Sequence, residues 1–465
     1  MNFNKKLAVA VSGAVLLMAG QFALADSTTD IVDALVGKGV LTEEEGKLIT
    51  KGHTSAKDKA GKIVDKNGAL SLSSSNGDST IAVNGRIQLD QRSYSHTNQR
   101  ADAAPDGLDV RRAYLGVNGK IAKYYDYKVV ANFANSDNPS GNGSTDKSFQ
   151  LDEAYFGINF WKEASFRFGQ QKMPFSLEEQ TSSRFTDFQE RSMLNKYVPA
   201  KEIGAQVHGI LPQGIFYGAA VSTGEGLSKI EANSGDSSDV IGRIGINLAE
   251  AMGNKDNVYH LAIAGSTGKQ GNSSVSAAYN PEDKGASFIS STNTLIYGAE
   301  RDRLGLEAAL AIGPVKVQSE YIQNAYSNIE RVNTTTINKG SADIDGYYVS
   351  ASWLMTGEKY ADSYKSGKFD RINPLKDFNP EEISKGWGAW ELGARYSSVD
   401  AADLSSGFSV AASSFVKAHA TTVGLKWIPS PYTRILLNYV DTEGERIDGI
   451  TQKQKAVTLR TQLDF

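Results

Sequence analysis

The chain has 465 residues, 49 Lys and Arg against 53 Asp and Glu, 45 Gly and no Cys. Its length favours two to four globular domains, and the lack of Cys excludes disulfides and thiolate metal or redox sites. A net charge of -4 gives no general reason to expect nucleic acid as a partner. The apolar fraction is only 40%, so the residue pattern must indicate the fold class.

The first 25 residues have the features of a secretory signal peptide. Lys5 and Lys6 precede an apolar run, and the segment ends in the small-x-small sequence Ala23-Leu24-Ala25. A buried or membrane-anchoring helix is the alternative, although the apolar run is short for a membrane span. Cleavage near Ala25 would remove two Lys and leave a net charge of -6. We therefore expect an exported chain.

Residues 26–80 are predicted to form a periplasmic helical extension and a linker. Apolar residues at helical spacing begin near Ile31, and Thr42 with Glu45 has the pattern of a capping box that opens a second helix. Residues 53–80 are rich in Lys, Gly and Ser, which is typical of a loose linker. A solvated extension is the simplest interpretation, and an oligomerising or envelope-tethering segment is the alternative.

From Ile81 onward the dominant period is two. Apolar and polar residues alternate in Ile81–Asp90 and again in Val457–Phe465, which puts each set on one face of a strand. About sixteen segments of roughly ten residues follow this pattern, the length that a tilted strand needs to cross a bilayer. Their predicted starts are 81, 109, 124, 149, 164, 202, 214, 239, 258, 301, 315, 345, 387, 417, 432 and 455.

The connections between these segments alternate in length. Short ones such as 120–123 and 429–431 alternate with long polar ones such as 173–201 and 326–344, which is typical of a transmembrane β-barrel. A sheet in lipid must also close, because its edge groups find no water there. A soluble multi-sandwich protein is the alternative, but it does not explain the alternation. The sequence therefore predicts an all-β transmembrane antiparallel β-barrel of about sixteen strands over 81–465.

If the apolar residues face lipid, the alternating residues face a lumen that is rich in Arg and Lys. A low-dielectric wall strengthens the field of such residues, and rings of Arg and Lys are what an anion or phosphate pore requires. For any single cation, an ion pair across the barrel is the competing interpretation. Two long charged connections, a constriction loop at about 173–200 and an inserted turn at about 356–386, could fold inward and narrow the lumen.

Several motifs occur in one order along residues 81–465. They are GRIQLD at Gly85–Asp90, RRAYLGV at Arg111–Val117, LDEAYFGI at Leu151–Ile158, FRFGQQKMPFSLEEQTSS at Phe166–Ser183 and GAWELGARYSS at Gly388–Ser398. Together they resemble the phosphate-selective porin O and P family. The resemblance implies a homotrimeric, sixteen-stranded channel in the outer membrane of a Gram-negative cell. It also implies that lumen Arg residues draw anions inward and that Lys residues hold them at a constriction.

The resemblance further implies which side chains contact the anion. Matched motif by motif, the anion-binding positions are Arg86, Arg111, Arg112, Lys128, Arg184, Arg191, Arg243, Lys365 and Arg395. The terminal Phe465 resembles the carboxyl-terminal signal that the barrel-assembly machinery recognises, although an ordinary last strand would also end this way.

One position departs from the family pattern. The phosphate-specific members have Leu-Glu-Lys where this chain has Leu177-Glu178-Glu179. A carboxylate accepts hydrogen bonds but donates none, and it repels an anion. Glu179 therefore opposes tight phosphate binding unless it turns away or pairs with Arg184 or Arg191.

Sequence signatures of catalysis are missing. The chain has no Walker phosphate loop, nucleophile elbow or dinucleotide fingerprint, and its five His are scattered. We expect no enzyme activity, metal or cofactor. The expected function is a passive channel in outer-membrane lipid for small anions, such as phosphate, with no nucleic-acid partner. The alternatives are a porin without phosphate preference and, from another class, an adhesin or structural envelope barrel that uses residues 26–80.

Overall fold

The structure is a computed structural model, and it describes residues 27–50, 62–66, 69–96, 105–134, 150–161, 163–224, 226, 238–269, 281–285, 296–297, 299–333, 336–403 and 415–465. The predicted signal peptide, its cleavage site near Ala25 and part of the predicted linker lie outside the described residues. The described residues divide into two compact units, one before residue 82 and one from Ala82 to Phe465, with residues 65–70 belonging to the second.

The amino-terminal unit contains two short helices. Helix α1 spans Ser27–Gly37, and helix α2 covers residues 43–50. The capping box at the start of α2 forms as its spacing predicts: the Glu45 N–H donates to Thr42 Oγ1 (3.2 Å), and the Thr42 N–H donates to the Glu45 carboxylate (2.9 Å). None of the helices in the described part of the chain is long and apolar enough to cross a membrane.

Sixteen long strands between residues 80 and 464 form a barrel, which confirms the predicted fold class. They are β1 (Thr80–His96), β2 (Gly107–Ile121), β3 (Tyr125–Asn132), β4 (Gln150–Ile158), β5 (Ser165–Lys172), β6 (Lys201–Ile210), β7 (Ile215–Ser222), β8 (Asp239–Asn247), β9 (Asn257–Lys269), β10 (Glu300–Ile312), β11 (Val315–Asn333), β12 (Thr336–Leu354), β13 (Ala389–Asp400), β14 (Phe415–Ser430), β15 (Thr433–Arg446) and β16 (Thr451–Asp464). Short strands also occur at Lys62–Lys66, Ala69–Ser73, Ile296–Tyr297, Tyr364–Lys365 and Lys368–Phe369.

The sixteen long strands close on themselves as an antiparallel barrel. From β2 to β16 each strand pairs with the next one in the chain, and the β1 side chain of Asn84 donates to Asn118 on β2 (2.7 Å). Strand β16 returns to pair with β1, with Arg460 opposite Asp90. Beside this seam, the N–H groups of Gly85 and Phe465 each donate to the other residue's carbonyl oxygen (2.9 and 3.1 Å). Closure leaves the sheet without an unpaired edge, as lipid requires.

Burial alternates along the strands with a period of two. On β10, Arg301, Arg303 and Glu307 are buried, whereas the outward-facing Leu304 and Leu306 are exposed. Apolar residues are exposed on the outer surface and charged residues are buried inside, which is the opposite of their distribution in a water-soluble protein. This arrangement is what a barrel surrounded by lipid needs.

The strand prediction ends several strands too early: β1 continues over 91–96, and β15 and β16 already pair over 442–445 and 451–454, where the sequence predicts connections. The largest error lies in one hairpin. The predicted long connection at 326–344 is largely strand, because β11 and β12 pair along most of it up to Asn333 opposite Thr336. Alternating apolar residues detect only the part of a strand that faces lipid. Beyond the bilayer a hairpin can be polar on both faces, and its backbone pairing leaves no such pattern in the sequence.

Two connections run through the barrel interior. The first, residues 173–200, is called the inner loop below; it contacts Glu320 of β11 and, on another part of the wall, Arg460 of β16. The second, residues 356–386, is called the inner turn. Its Tyr364 hydroxyl lies 2.7 Å from His260 Nδ1, and the carbonyl oxygen of its Gly367 accepts from Arg243 Nη2 (2.9 Å).

Arg460 joins the closing seam of the barrel to the inner loop. Its Nε and Nη2 lie 2.6 and 2.7 Å from the two Asp90 carboxylate oxygens, and Nη2 also lies 2.6 Å from Glu190 Oε1. The Arg460 side chain is completely buried. Two acidic groups that would be costly to bury alone thus share one guanidinium.

We expect Arg460→Met to lower the free energy of unfolding of the barrel by about 2 kcal/mol, because Asp90 and Glu190 lose charge-assisted hydrogen bonds but keep Arg92 and Arg111 as counter-charges. The measurement is the urea concentration at which the folded band disappears in a detergent gel of protein reconstituted in lipid. Leu459→Met is the matched control, since the neighbouring Leu459 faces outward. Equal shifts in the two variants would contradict a special role for Arg460.

Candidate functional site

The inner loop is anchored to the wall through a short helix, α3 (Leu177–Gln180). The N–H groups of Leu177 and Glu178 donate to the two carboxylate oxygens of Glu320 on β11 (2.9 and 2.7 Å), and the Glu179 N–H donates to Ser176 Oγ (3.2 Å). The free N–H groups of the first helical turn are therefore satisfied by a wall carboxylate and a cap. This fixes where the following residues of the loop can lie.

Glu178 ties the two ends of the inner loop together and to the wall. Its carboxylate accepts from the Ser192 N–H (3.0 Å) and hydroxyl (2.6 Å), and it pairs with Arg395 Nη1 on β13 (3.0 Å). This one carboxylate therefore links two parts of the inner loop to each other and to the wall.

Glu179, which departs from the family pattern, lies between two cations. Its carboxylate is 3.0 Å from Arg191 Nη1 and 3.4 Å from Lys172 Nζ, and the residue is buried. Burial opposes ionisation, but Arg191 and Lys172 outweigh it and hold the pKa of Glu179 below its ordinary value. The condition derived from the sequence, that Glu179 pairs with a cation, is met by Arg191 with Lys172, and not by Arg184.

Arg191 contributes mainly to the internal structure of the loop. Its Nε donates to the Glu178 carbonyl oxygen (3.0 Å), and its Nη2 donates to those of Glu179 (3.3 Å) and Thr181 (2.8 Å). With Nη1 on the Glu179 carboxylate, most of the guanidinium is already bonded. Arg191 therefore has few donors left for a dissolved anion.

Three of the predicted cations have no carboxylate partner within 4 Å in the described ranges: Arg86, Arg112 and Arg184, here called the arginine cluster. Arg86 Nη1 donates to Ser183 Oγ (2.9 Å) and its guanidinium lies 4.3 Å from the centre of the Tyr114 ring. Arg112 Nη1 donates to Gln88 (2.9 Å), whose amide reaches the Ser183 carbonyl oxygen (3.3 Å).

The third member, Arg184, donates from Nη2 to Asn84 (3.2 Å). Neutral side chains thus hold all three guanidinium groups, and the inner loop supplies Arg184 while β1 and β2 supply the others. Burial lowers the pKa of Arg184 from its ordinary value. The cluster also contains a donor without an acceptor: the Nε of Arg86 is buried and has no hydrogen-bond partner.

A polar cavity of about 440 Å³ adjoins this cluster at Arg112 and at Ser183, the partner of Arg86. It is lined by Arg111, Arg112, Ser183, Thr186, Gln189, Glu190, Arg191, Ser192, Met193, Asn195, Lys196, Pro281 and Lys284. We call it the cationic cavity, because five of these side chains are cations and one is an acid. The acid, Glu190, pairs with Arg111 (3.0 Å). Burial opposes its ionisation, but Arg111, Arg460 and Arg112 hold the pKa of Glu190 well below its usual range.

The structure does not bring the other predicted cations to this cavity. Each of the four has a carboxylate partner: Lys128 pairs with Glu153, Arg243 with Glu307, Lys365 with Asp370 and Arg395 with both Glu178 and Glu282. Lys365 is also largely exposed on the inner turn. For these residues the competing interpretation, an ion pair within the barrel, describes the observed contacts.

Several residues of the cavity were not predicted. Lys196 lies in the inner loop, and Lys284 lies in the connection between β9 and β10. Ser183 was not predicted because it is uncharged and the anion-binding positions were sought among Arg and Lys. These residues line the cavity because folding brings them next to wall residues that are distant in the sequence. The alternation of residues along a strand does not predict such contacts.

A metal centre does not form in the described ranges, where no three His, Asp or Glu side chains are arranged to hold an ion. The chemistry of the site is therefore that of guanidinium, ammonium and hydroxyl donors. Such donors bind oxyanions through charge-assisted hydrogen bonds.

The closed sixteen-strand barrel with two connections folded inside is the architecture of a porin-type channel. OmpF of Salmonella typhi, solved in complex with daunomycin, matches with a TM-score of 0.51 and 12% identity over 86% of this chain and 100% of that one. The outer membrane channel DcaP of Acinetobacter baumannii matches with a TM-score of 0.50 and 13% identity over 83% of this chain and 97% of that one. At such identities the likeness shows the fold alone.

The sequence comparisons are more specific. The sequence model of the family described as "Phosphate-selective porin O and P" matches residues 81–465. Porin O of Pseudomonas aeruginosa is 25% identical over 423 residues, which are 85% of this chain and 90% of that protein. The chain therefore belongs to the phosphate-selective porin O and P family. It is a porin-family channel of the outer membrane and not an enzyme.

The charge of the cationic cavity can be measured with one thiol, because the chain has no Cys. We expect Thr186→Cys, which lines the cavity, to react at least about tenfold faster with an anionic than with a cationic methanethiosulfonate, since the local potential concentrates anions. The control is Ser384→Cys at an exposed position of the inner turn, where the two rates should be similar. Faster reaction of Thr186→Cys with the cationic reagent would refute an electropositive cavity.

Proposed function

We propose that this protein is a passive channel for small anions, phosphate or related oxyanions among them. The observation that carries the proposal is the arginine cluster: Arg86, Arg112 and Arg184 have no carboxylate within 4 Å in the described residues. Arg112 lines the cationic cavity, and so does Ser183, which binds Arg86 and precedes Arg184 in the chain. Like charges in a low-dielectric site raise one another's energy. A bound anion lowers that energy and at the same time receives charge-assisted hydrogen bonds.

The donors of the cluster suit an oxyanion. Neutral partners take only part of each guanidinium group, and Ser183 adds a hydroxyl close to Arg86. A guanidinium has five N–H donors in a planar fork that matches carboxylate or phosphate oxygens. The lack of a paired carboxylate makes the cluster attractive to an anion, and the cavity that Arg112 lines gives the anion a path for exchange.

Conduction also requires that the anion can leave. On β3 and β6 the cations have local counter-charges, Lys128 with Glu153 and Lys201 with Asp152. Paired charges exert a weaker field than unpaired ones, so attraction falls away from the cluster. A binding site strong enough to recruit the ion and weak enough to release it is the general condition for flux through a pore.

A porin without phosphate preference is the second candidate, and one observation favours it. Glu179 neutralises both Lys172 and Arg191, so the inner loop offers fewer free cations than a family member with Lys at this position. The arginine cluster is common to both candidates. They differ in how strongly phosphate, compared with chloride, is held in the interior.

The remaining expectations stay part of this proposal. The resemblance supports a homotrimer and assembly by the barrel-assembly machinery through Phe465. The residue pattern of the first 80 positions supports cleavage of a signal peptide near Ala25 and a periplasmic extension at 26–80. In the structure Phe465 pairs with Gly85 at the seam, so its terminal position also has a purely structural use. Adhesion or envelope tethering through residues 26–80 remains the alternative for that segment.

The first test of anion preference is the reversal potential of single channels in a KCl gradient. We expect the wild type to favour chloride, and Arg112→Gln to lower the chloride-to-potassium permeability ratio by about two- to threefold because one unpaired charge is lost. Lys385→Gln is the control, since Lys385 lies exposed on the inner turn beside Glu382. Potassium preference of the wild type would contradict the proposal.

The second test separates the two candidates through phosphate block of the chloride current. We expect Glu179→Gln to need about fivefold less phosphate for half block, because Arg191 and Lys172 lose the carboxylate that neutralises them. Glu382→Gln, an exposed acid paired with Lys385, serves as the control. Weak phosphate block in both the wild type and Glu179→Gln would favour the porin without phosphate preference.

A further inference from the structure

A second acidic segment enters the barrel from the connection between β9 and β10. Pro281–Gly285 lies against the interior wall, where Glu282 and Asp283 are almost completely buried. Buried carboxylates need partners that replace water, and the partners of Glu282 are all on the wall.

The Glu282 carboxylate is bound by four donors. Oε2 accepts from Arg395 Nη2 (2.5 Å), Arg395 Nε (3.1 Å) and the Thr422 hydroxyl (2.5 Å), and Oε1 accepts from the Ser397 hydroxyl (2.5 Å). All three wall residues are themselves buried. Arg395 and Thr422 are directly opposite each other in the β13–β14 pairing, so these donors are held by the barrel and do not depend on the segment that carries Glu282.

The rest of the segment is attached by weaker, uncharged donors. Asp283 accepts from the amide of Gln454 (2.9 Å), and the Tyr94 hydroxyl donates to the Asp283 carbonyl oxygen (2.9 Å). Glu282 therefore makes the one ion pair between the segment and the wall among the described contacts. Arg395 would still have Glu178 as a counter-charge if Glu282 left.

We propose that Arg395, Ser397 and Thr422 form a binding site for small carboxylates, that Glu282 occupies it as a tethered ligand, and that a free carboxylate exchanges with Glu282 and releases Pro281–Gly285 from the interior. This inference rests on the proposed function and extends it. It adds carboxylates as a second class of anion, and it lets a bound carboxylate displace a segment that occupies the barrel interior. Release also moves Lys284, which lines the cationic cavity.

The experiment follows the segment with a single thiol. Pro281 is buried, so Pro281→Cys in the otherwise Cys-free chain should react slowly with a methanethiosulfonate in reconstituted vesicles. Propionate, the acid that matches the Glu side chain, should raise the reaction rate at about 100 mM, because it must compete with a tethered group whose effective concentration is in the millimolar range or above. Propionamide, the neutral isostere, and chloride at equal ionic strength should leave the rate unchanged.

Two further variants in the Pro281→Cys background check the wall and the ligand. Thr422→Val should raise the rate without propionate by about tenfold, because a hydrogen bond to a charged group is lost, whereas Thr421→Val, at an exposed position of the same strand, should not. Glu282→Gln should be fast and insensitive to propionate. An equal effect of propionate and propionamide, or no difference between Thr422→Val and Thr421→Val, would overturn the carboxylate site.

The reversal potential in KCl, measured on the same vesicle preparation, keeps this result separate from the proposed function. Chloride preference with no effect of propionate would refute the carboxylate site and leave the anion channel intact. Potassium preference together with a propionate effect would refute the anion channel and retain the site.

Discussion

The structure depends on the inability of lipid to form hydrogen bonds with the backbone. A sheet in a bilayer must close to satisfy its edge groups, and here β16 returns to β1 with Arg460 opposite Asp90. Closure divides the side chains of every strand into an outer and an inner set. The outer set must be apolar to face lipid, so the charged residues of a polar chain are concentrated inside. The low apolar fraction of the sequence, 40%, is a consequence of this division.

An interior full of charges must then be neutralised locally, and the neutralisation positions the inner loop. Glu320, Arg395 and Arg460 reach from different strands to the N–H groups and carboxylates of residues 177–190. Each contact removes a buried charge or donor that would otherwise be costly. The arginine cluster is the exception to this pairing, because neutral side chains hold its three guanidinium groups. The contacts that hold the inner loop in place thus leave these three guanidinium groups without a carboxylate partner within 4 Å in the described residues.

The prediction from sequence succeeded where the residue type at a position depends only on whether that position faces lipid. Lipid selects apolar residues at every second position, so the membrane-facing segments of the sixteen strands were visible. The strand ends beyond the bilayer were missed, above all in the polar hairpin around 326–344. The candidate site was harder. Arg86, Arg112 and Arg184 have no carboxylate within 4 Å in the described residues, while Lys128 and Arg243 lie in ion pairs, and their residue types do not indicate the difference. Lys284 was missed because its segment folds inward against strands far away in the chain.

The sequence by itself determined the barrel, its family and the presence of many inward cations. The alternation of apolar and polar residues and the order of the motifs can both be observed directly in the sequence. Only the tertiary structure decided which cations lack a counter-charge. That property depends on distances of a few ångström between residues such as Glu179 and Arg191 on the loop, or Glu282 and Arg395, which are more than 100 positions apart. Coulomb interactions fall with distance in space and take no account of distance along the chain, so the electrostatic character of the interior was set by folding.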